Sequence, residues 1–147
     1  MSQTNPPFEM STYKVLAVRS RREPDIQSCL YFDWNGEPVD PSKLDSFAQG
    51  YDTAFVCLQQ TTLGQLGLDL GDLEAVEGVT LFAAVARTRQ AHVQMPSLFL
   101  AEPHPGGHTL VLPVFARTHR SVILVFSDAE GRLIASADPE IKNSTGV

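Results

Sequence analysis

Beyond Val79 the chain is written almost entirely in short β-forming runs divided by turn residues, and that pattern leaves few folds open to it. Residues 79–87, 92–100, 110–117, 121–126 and 132–137 are rich in β-branched, aromatic and leucine side chains, which predicts five strands. Pro96 and Pro113 fall inside two of these runs. Proline donates no ladder hydrogen bond, so both strands are expected at a sheet edge or bulged. Asp128-Ala129-Glu130-Gly131 reads as a hairpin turn with glycine at its left-handed position.

The first half mixes the two periods. Residues 12–19 and 26–34 predict two more strands, joined by the polar segment 21–25 as antiparallel neighbours, and Asn35-Gly36 follows as a turn. Alternation puts Ile26, Leu30, Phe32 and Trp34 on one face, so Phe32 and Trp34 are expected in the core and Tyr31 and Asp33 outside. Asp40-Pro41 supplies an N-cap and a proline at the first helical position. With Leu44, Phe47 and Ala48 at helical spacing and Gly50 to stop it, a short helix over 41–49 is predicted. Residues 53–58 suit a buried strand, and a glycine-broken leucine stretch leads to a helical turn over 72–77, capped by Asp72 and closed by Gly78. The predicted fold class is α+β and β-rich, a mostly antiparallel sheet of about seven to eight strands with one short helix.

Chain length and composition bound the rest. With 147 residues, 43% of them hydrophobic, the chain suits one domain over 1–147, with loose tails at 1–11 and 139–147. No apolar run approaches the roughly 18–20 residues of a membrane helix. The polar, proline-containing start has no basic region followed by an apolar one, so a cytoplasmic protein is expected, with Cys29 and Cys57 as buried thiols.

The net charge of −6 is unevenly spread: residues 23–77 hold eleven acids against Lys43 alone, a net of −10. Such a stretch repels nucleic-acid phosphates and steers a basic protein inward, so the expected partner is a basic protein and not a nucleic acid or a membrane. Within it, Tyr31, Phe32 and Trp34 stand among acids, a composition that suits an interface.

Chemistry-bearing motifs are sparse. Glu102, His104 and His108 share a Pro- and Gly-rich loop and offer the donor types zinc or iron(II) takes. Arg87, Arg89, Arg117 and Arg120 recur at strand ends, in two segments sharing Ala-Arg-Thr, and would form an anion site if those strands were neighbours. Leu66-Gly67-Leu68-Asp69-Leu70 resembles a phosphopantetheine attachment sequence, but Leu70 stands where that chemistry requires serine. There is no Gly-x-Ser-x-Gly elbow, Walker loop, His-Glu-x-x-His or Cys-x-x-Cys.

The sequence therefore favours a non-enzymatic acidic binding domain, an inhibitor, immunity protein or adaptor, with no cofactor and no catalytic residue. Its expected contact residues are Asp33, Trp34, Glu37, Asp40, Asp45, Asp69, Asp72, Glu74 and Glu77. The alternative is a β-rich ligand-binding protein or enzyme using the arginines or the Glu/His loop. A homo-oligomer through the proline-marked edge strands is a third expectation.

Overall fold

The computed structural model describes residues 10–21, 27–41, 44–46, 53–88, 97–103, 108–115, 119–136 and 140–143. Among them run β1 (Met10–Ser20), β2 (Gln27–Phe32), β3 (Pro38–Val39), β4 (Leu44–Ser46), β5 (Thr53–Gln60), α1 (Leu63–Leu66) and β6 (Leu73–Ala75). There follow β7 (Thr80–Thr88), β8 (Ser97–Leu100), β9 (Thr109–Phe115), β10 (His119–Ser127), β11 (Leu133–Ala135) and β12 (Glu140–Asn143). They form two mostly antiparallel sheets, β3-β2-β1-β5-β9 with β6 beside β1, and β4-β12-β10-β7-β8 with β11 beside β10. The pairs β1/β5 and β4/β12 are parallel.

Two turns of one design shape the ribbons. In Asp33–Glu37 and Asp128–Arg132 the aspartate N–H donates to the carbonyl of the residue four positions on, at 2.9 and 3.0 Å, and the glycine N–H donates back to the aspartate carbonyl at 3.0 Å. Asp33 Oδ1 accepts the N–H groups of Asn35 and Glu37 at 2.9 and 3.0 Å, and Asp128 Oδ1 those of Glu130 and Arg132 at 2.9 and 2.8 Å. Gly36 and Gly131 sit at φ 86° and 82°, where a side chain is strained. The predicted hairpin at Asp128 is therefore present, and the Asn35-Gly36 turn is its twin.

The second turn makes a pH prediction. Hydrogen bonding from the Arg132 N–H holds the Asp128 carboxyl below its ordinary value of 3.8, helped by the Arg132 side chain and the Glu130 N–H and opposed by partial desolvation. A carboxyl lowered on folding stabilises the native state above its unfolded pKa and loses that contribution as pH falls through the folded one. Between pH 5 and about 2, wild-type protein is expected to lose more of its melting temperature than Asp128→Asn, which keeps the turn acceptor but not the charge. Equal losses in thermal melts across that range would remove the carboxylate from the account.

The main core lies between the sheets. Val15, Ala17, Tyr31, Val56, Leu58 and Leu112 come from one sheet, and Leu81, Ala84, Val122, Leu124, Phe126 and Ile141 from the other, all buried. A second cluster covers the far side of the first sheet, where Leu16, Val18 and Phe32 meet Leu63, Leu66, Leu68, Leu70 and Leu73 from the segment around α1. Strands β1 and β2 are thus apolar on both faces. Tyr31, at 1% exposure, faces the main core, opposite to the side expected from alternation, and Phe32 lies beneath the leucine cover.

Two helical expectations are corrected. Residues 44–46 form β4 and not part of a helix over 41–49, because Leu44, fully buried, seats opposite Ile141 of β12, and that tertiary place outweighs the local capping pattern; the rest of 42–50 lies outside the described residues. The turn expected at 72–77 is β6 at Leu73–Ala75. Strand β5 follows β1 only as far as Val15, leaving the same edge of β1 open at Val18–Ser20, and β6 pairs there. The helical turn is instead α1, ended by Gly67 at φ 64° with its N–H on the Leu63 carbonyl. Met10 and Ser11 pair with β5, Glu140–Lys142 with β10 and Asn143 with β4, so neither expected tail is loose at those residues.

Strand β9 is the last of its sheet, as Pro113 requires, and β8 ends the other; Pro96 lies outside the described residues. Beyond these edges Glu102 and Thr109 exchange two backbone hydrogen bonds of 2.8 Å, which joins the sheets along that side. Gln60 adds a clasp: its amide donates to the Val79 carbonyl at 2.8 Å and accepts the Leu81 N–H at 2.7 Å.

Candidate functional site

The β2–β3 turn places Trp34 at its tip. With 63% of its surface exposed, Trp34 stands outside the core, contrary to the alternation, because the strand ends at Phe32 and Asp33 redirects the chain. The Asp33 carboxylate holds the backbone on both sides of Trp34, and Lys14 Nζ lies 5.2 Å from the indole ring centre. Glu37 and Asp40 are exposed close by in sequence, one ending the turn and one following β3. A large, rigid aromatic surface with carboxylates beside it can enter a pocket lined by cationic groups.

The remaining acids are not gathered there. Glu74 pairs with Arg19 at 2.5 Å across the β1/β6 ladder, both side chains more than one-third exposed, so its charge is already matched within the chain. Asp69 accepts the Gly71 N–H at 3.0 Å in a local turn, Asp72 accepts the Arg21 N–H at its carbonyl, and Asp72 and Glu77 are exposed. Lys14 marks the position of the first group along β1, and Arg19 that of the second. Five residues of strand separate them, about 17 Å. Asp45 belongs to β4 in the other sheet, opposite Lys142. Among the described residues the acid-rich stretch is therefore dispersed, and of its acids Asp33, Glu37 and Asp40 accompany Trp34.

The two arginine segments do meet, since β7 and β10 are neighbours. Ser121 opposes Arg87 and Thr88 opposes Arg120, so the two arginines fall on opposite faces of the sheet and the structure does not bring them together. Arg87 is exposed, whereas Arg120 is 7% exposed between the sheets. Its Nη1 donates to the Pro113 carbonyl at 3.1 Å, its guanidinium lies 5.7 Å from the Phe99 ring centre, and its buried Nε has no hydrogen-bond partner. Burial pulls its pKa below the ordinary value. Arg89 and Arg117 lie outside the described residues.

Of the Glu/His loop, Glu102 and His108 flank the Glu102–Thr109 bridge, and His104 lies outside the described residues. Among the described residues no three potential metal ligands come together. A cleft of about 340 Å³ beside His108 is lined by Phe82, Leu100 and the hydroxyl residues Thr80 and Ser127, with no Asp, Glu, Lys or Arg among the described residues of its wall. No family model matches this chain, and no curated protein matches it in sequence.

Both cysteines are buried thiols outside any disulfide, on opposite faces of their sheet: Cys29 is in the main core, and Cys57 opposes Thr12, which hydrogen-bonds it. Burial pushes the Cys57 thiol pKa up, against reactivity. No helix among the described residues is long and apolar enough to cross a membrane.

The sequence reading missed the exposure of Trp34 and the burial of Arg120. Its best available signal for Trp34 was the Asp-x-x-Gly spacing of the following turn, which recurs at Asp128. Nothing in the local sequence marks Arg120 as different from the other arginines.

Proposed function

We propose that this chain is a non-enzymatic binding domain, an inhibitor, immunity protein or adaptor, that inserts Trp34 into a basic site on a protein partner. The observation that carries the reading is the 63% exposure of Trp34 on a turn fixed by Asp33. An exposed indole is costly to leave in water, and a preorganised backbone lowers the entropy lost on docking. Asp33, Glu37 and Asp40 give the site its preference for cationic partners and make association sensitive to salt. The dispersed acids Asp45, Asp69, Asp72, Glu74 and Glu77 act at longer range, by steering.

The test is affinity capture from the native cell lysate at low and high salt, followed by titration of the captured partner. Trp34→Ala is expected to weaken binding by at least about 30-fold, as central aromatic anchors do. Glu37→Gln with Asp40→Asn is expected to slow association and flatten its salt dependence. Unchanged affinity of the Trp34→Ala variant would refute the reading.

A further inference from the structure

The two sheets differ on their outer sides. The chain's own leucine-rich segment covers the first sheet, burying Leu16, Val18 and Phe32 beneath it. The second sheet is also apolar on its outer face, yet Leu98 and Leu100 of β8 are 64% and 62% exposed, Phe82 of β7 46%, Ile123 of β10 43% and Leu133 of β11 61%. The register makes this one continuous surface: Leu98 opposes Val85, Val85 opposes Ile123, and Val125 lies between Ala83 and Ala135. Phe82 joins it at the irregularity where Val125 and Phe126 oppose Ala83 and Leu81.

We infer that this face is the interface of a homodimer, two copies stacking their second sheets face to face. The surface is separate from the Trp34 turn and is independent of the function proposed above. Four considerations select a second copy as occupant. First, the five side chains, 43–64% exposed, form one contiguous apolar patch of the kind that marks an interaction site. A standard interface takes about 800 Å² per partner, of which an apolar patch forms the centre and polar residues the rim. Second, the face meets the self-complementarity of a two-fold contact. It is apolar across its middle, the exposed Arg87 lies at one end, and the turn of Asp128, Glu130 and Arg132, net −1, at the other. A two-fold axis across the strands lays each Arg87 end over the partner's turn. Third, the chain's net charge of −6 does not oppose this stacking, because none of the five exposed apolar side chains has an acid as its cross-strand neighbour in the described register. Fourth, the Glu102–Thr109 bridge ties the sheets together beside β8, which favours contact through the face over pairing through that edge.

The full chain is tested by sedimentation equilibrium from about 1 to 100 μM, with far-UV circular dichroism to confirm folding. Wild-type protein is expected to reach twice its 16.1 kDa mass. Ile123→Glu and, independently, Leu98→Lys at the exposed edge are each expected to raise the dimer dissociation constant by at least about 30-fold, while Trp34→Ala leaves it unchanged. Leu98→Lys keeps the test decisive if Ile123→Glu fails to fold. A wild-type monomer over the whole range overturns the inference, including one whose outer face is protected from hydrogen exchange by a segment of its own chain. A dimer that persists in a folded Leu98→Lys variant, or that is broken by Trp34→Ala, assigns the contact elsewhere and overturns it too.

Discussion

Leu124→Ala is expected to lower the unfolding free energy by about 3–4 kcal/mol, through lost apolar transfer and the cavity left between the sheets. Leu124 is fully buried in β10, whose neighbours on either side are β7 and the β11/β12 edge, and its cross-strand partner Ala84 is too small to fill the gap. A domain of this size has about 5–15 kcal/mol to lose, so the urea midpoint falls steeply with little change in slope. The adjacent Ile123→Ala, on the outer face at 43% exposure, is expected to cost below about 1 kcal/mol at concentrations where the chain is monomeric. Comparable losses at the two positions would show that the inner and outer faces of β10 are wrongly assigned.

The second large effect has the opposite sign. Arg120→Met is expected to stabilise the protein by about 1–2 kcal/mol, because taking a guanidinium with no ion-pair partner among the described residues out of water costs several kcal/mol, and methionine fills similar space without that penalty. Against it stand one hydrogen bond to the Pro113 carbonyl and the contact with Phe99, each contributing on the order of 1–2 kcal/mol. The unpartnered Nε tips the balance toward the apolar replacement. Arg120→Ala removes the same charge and leaves a void, so it is expected to fall below Arg120→Met by about 2 kcal/mol or more. Equilibrium denaturation of both variants tests the balance. A loss on replacement by methionine would mean that the tie between β10 and β9 outweighs desolvation.

Local chemistry made much of the second half legible. Residues 121–126 and 132–137, with aspartate and glycine between them, correspond to β10, the Asp128 turn and β11, because turn geometry depends on nearest neighbours alone. The β1/β2 pairing was readable for a similar reason. Where reading failed, the deciding contact was distant. Leu44 belongs to a strand because of Ile141, and Leu73–Ala75 extends because β5 leaves β1 at Val15. Alternation could not orient Tyr31 and Phe32, since both faces of β2 are covered and period two carries no information when neither side meets water. The candidate site was legible as a composition of aromatic residues among acids. Its geometry was not, because the dispersal of the acids follows from the position of β1 between β2 and β6.

The parallel pair of β4 and β12 also orders events in time. It joins Leu44 to Ile141 and Ser46 to Asn143, so one strand waits for another made 97 residues later. On the ribosome, the first sheet can assemble its β1–β2 hairpin early, but Leu44 has no seat until residues 140–143 leave the exit tunnel. Closure of so long a loop is entropically unfavourable and slow. Folding is therefore expected to finish only once residues 140–143 have emerged, with an apolar edge exposed to chaperones in the interval.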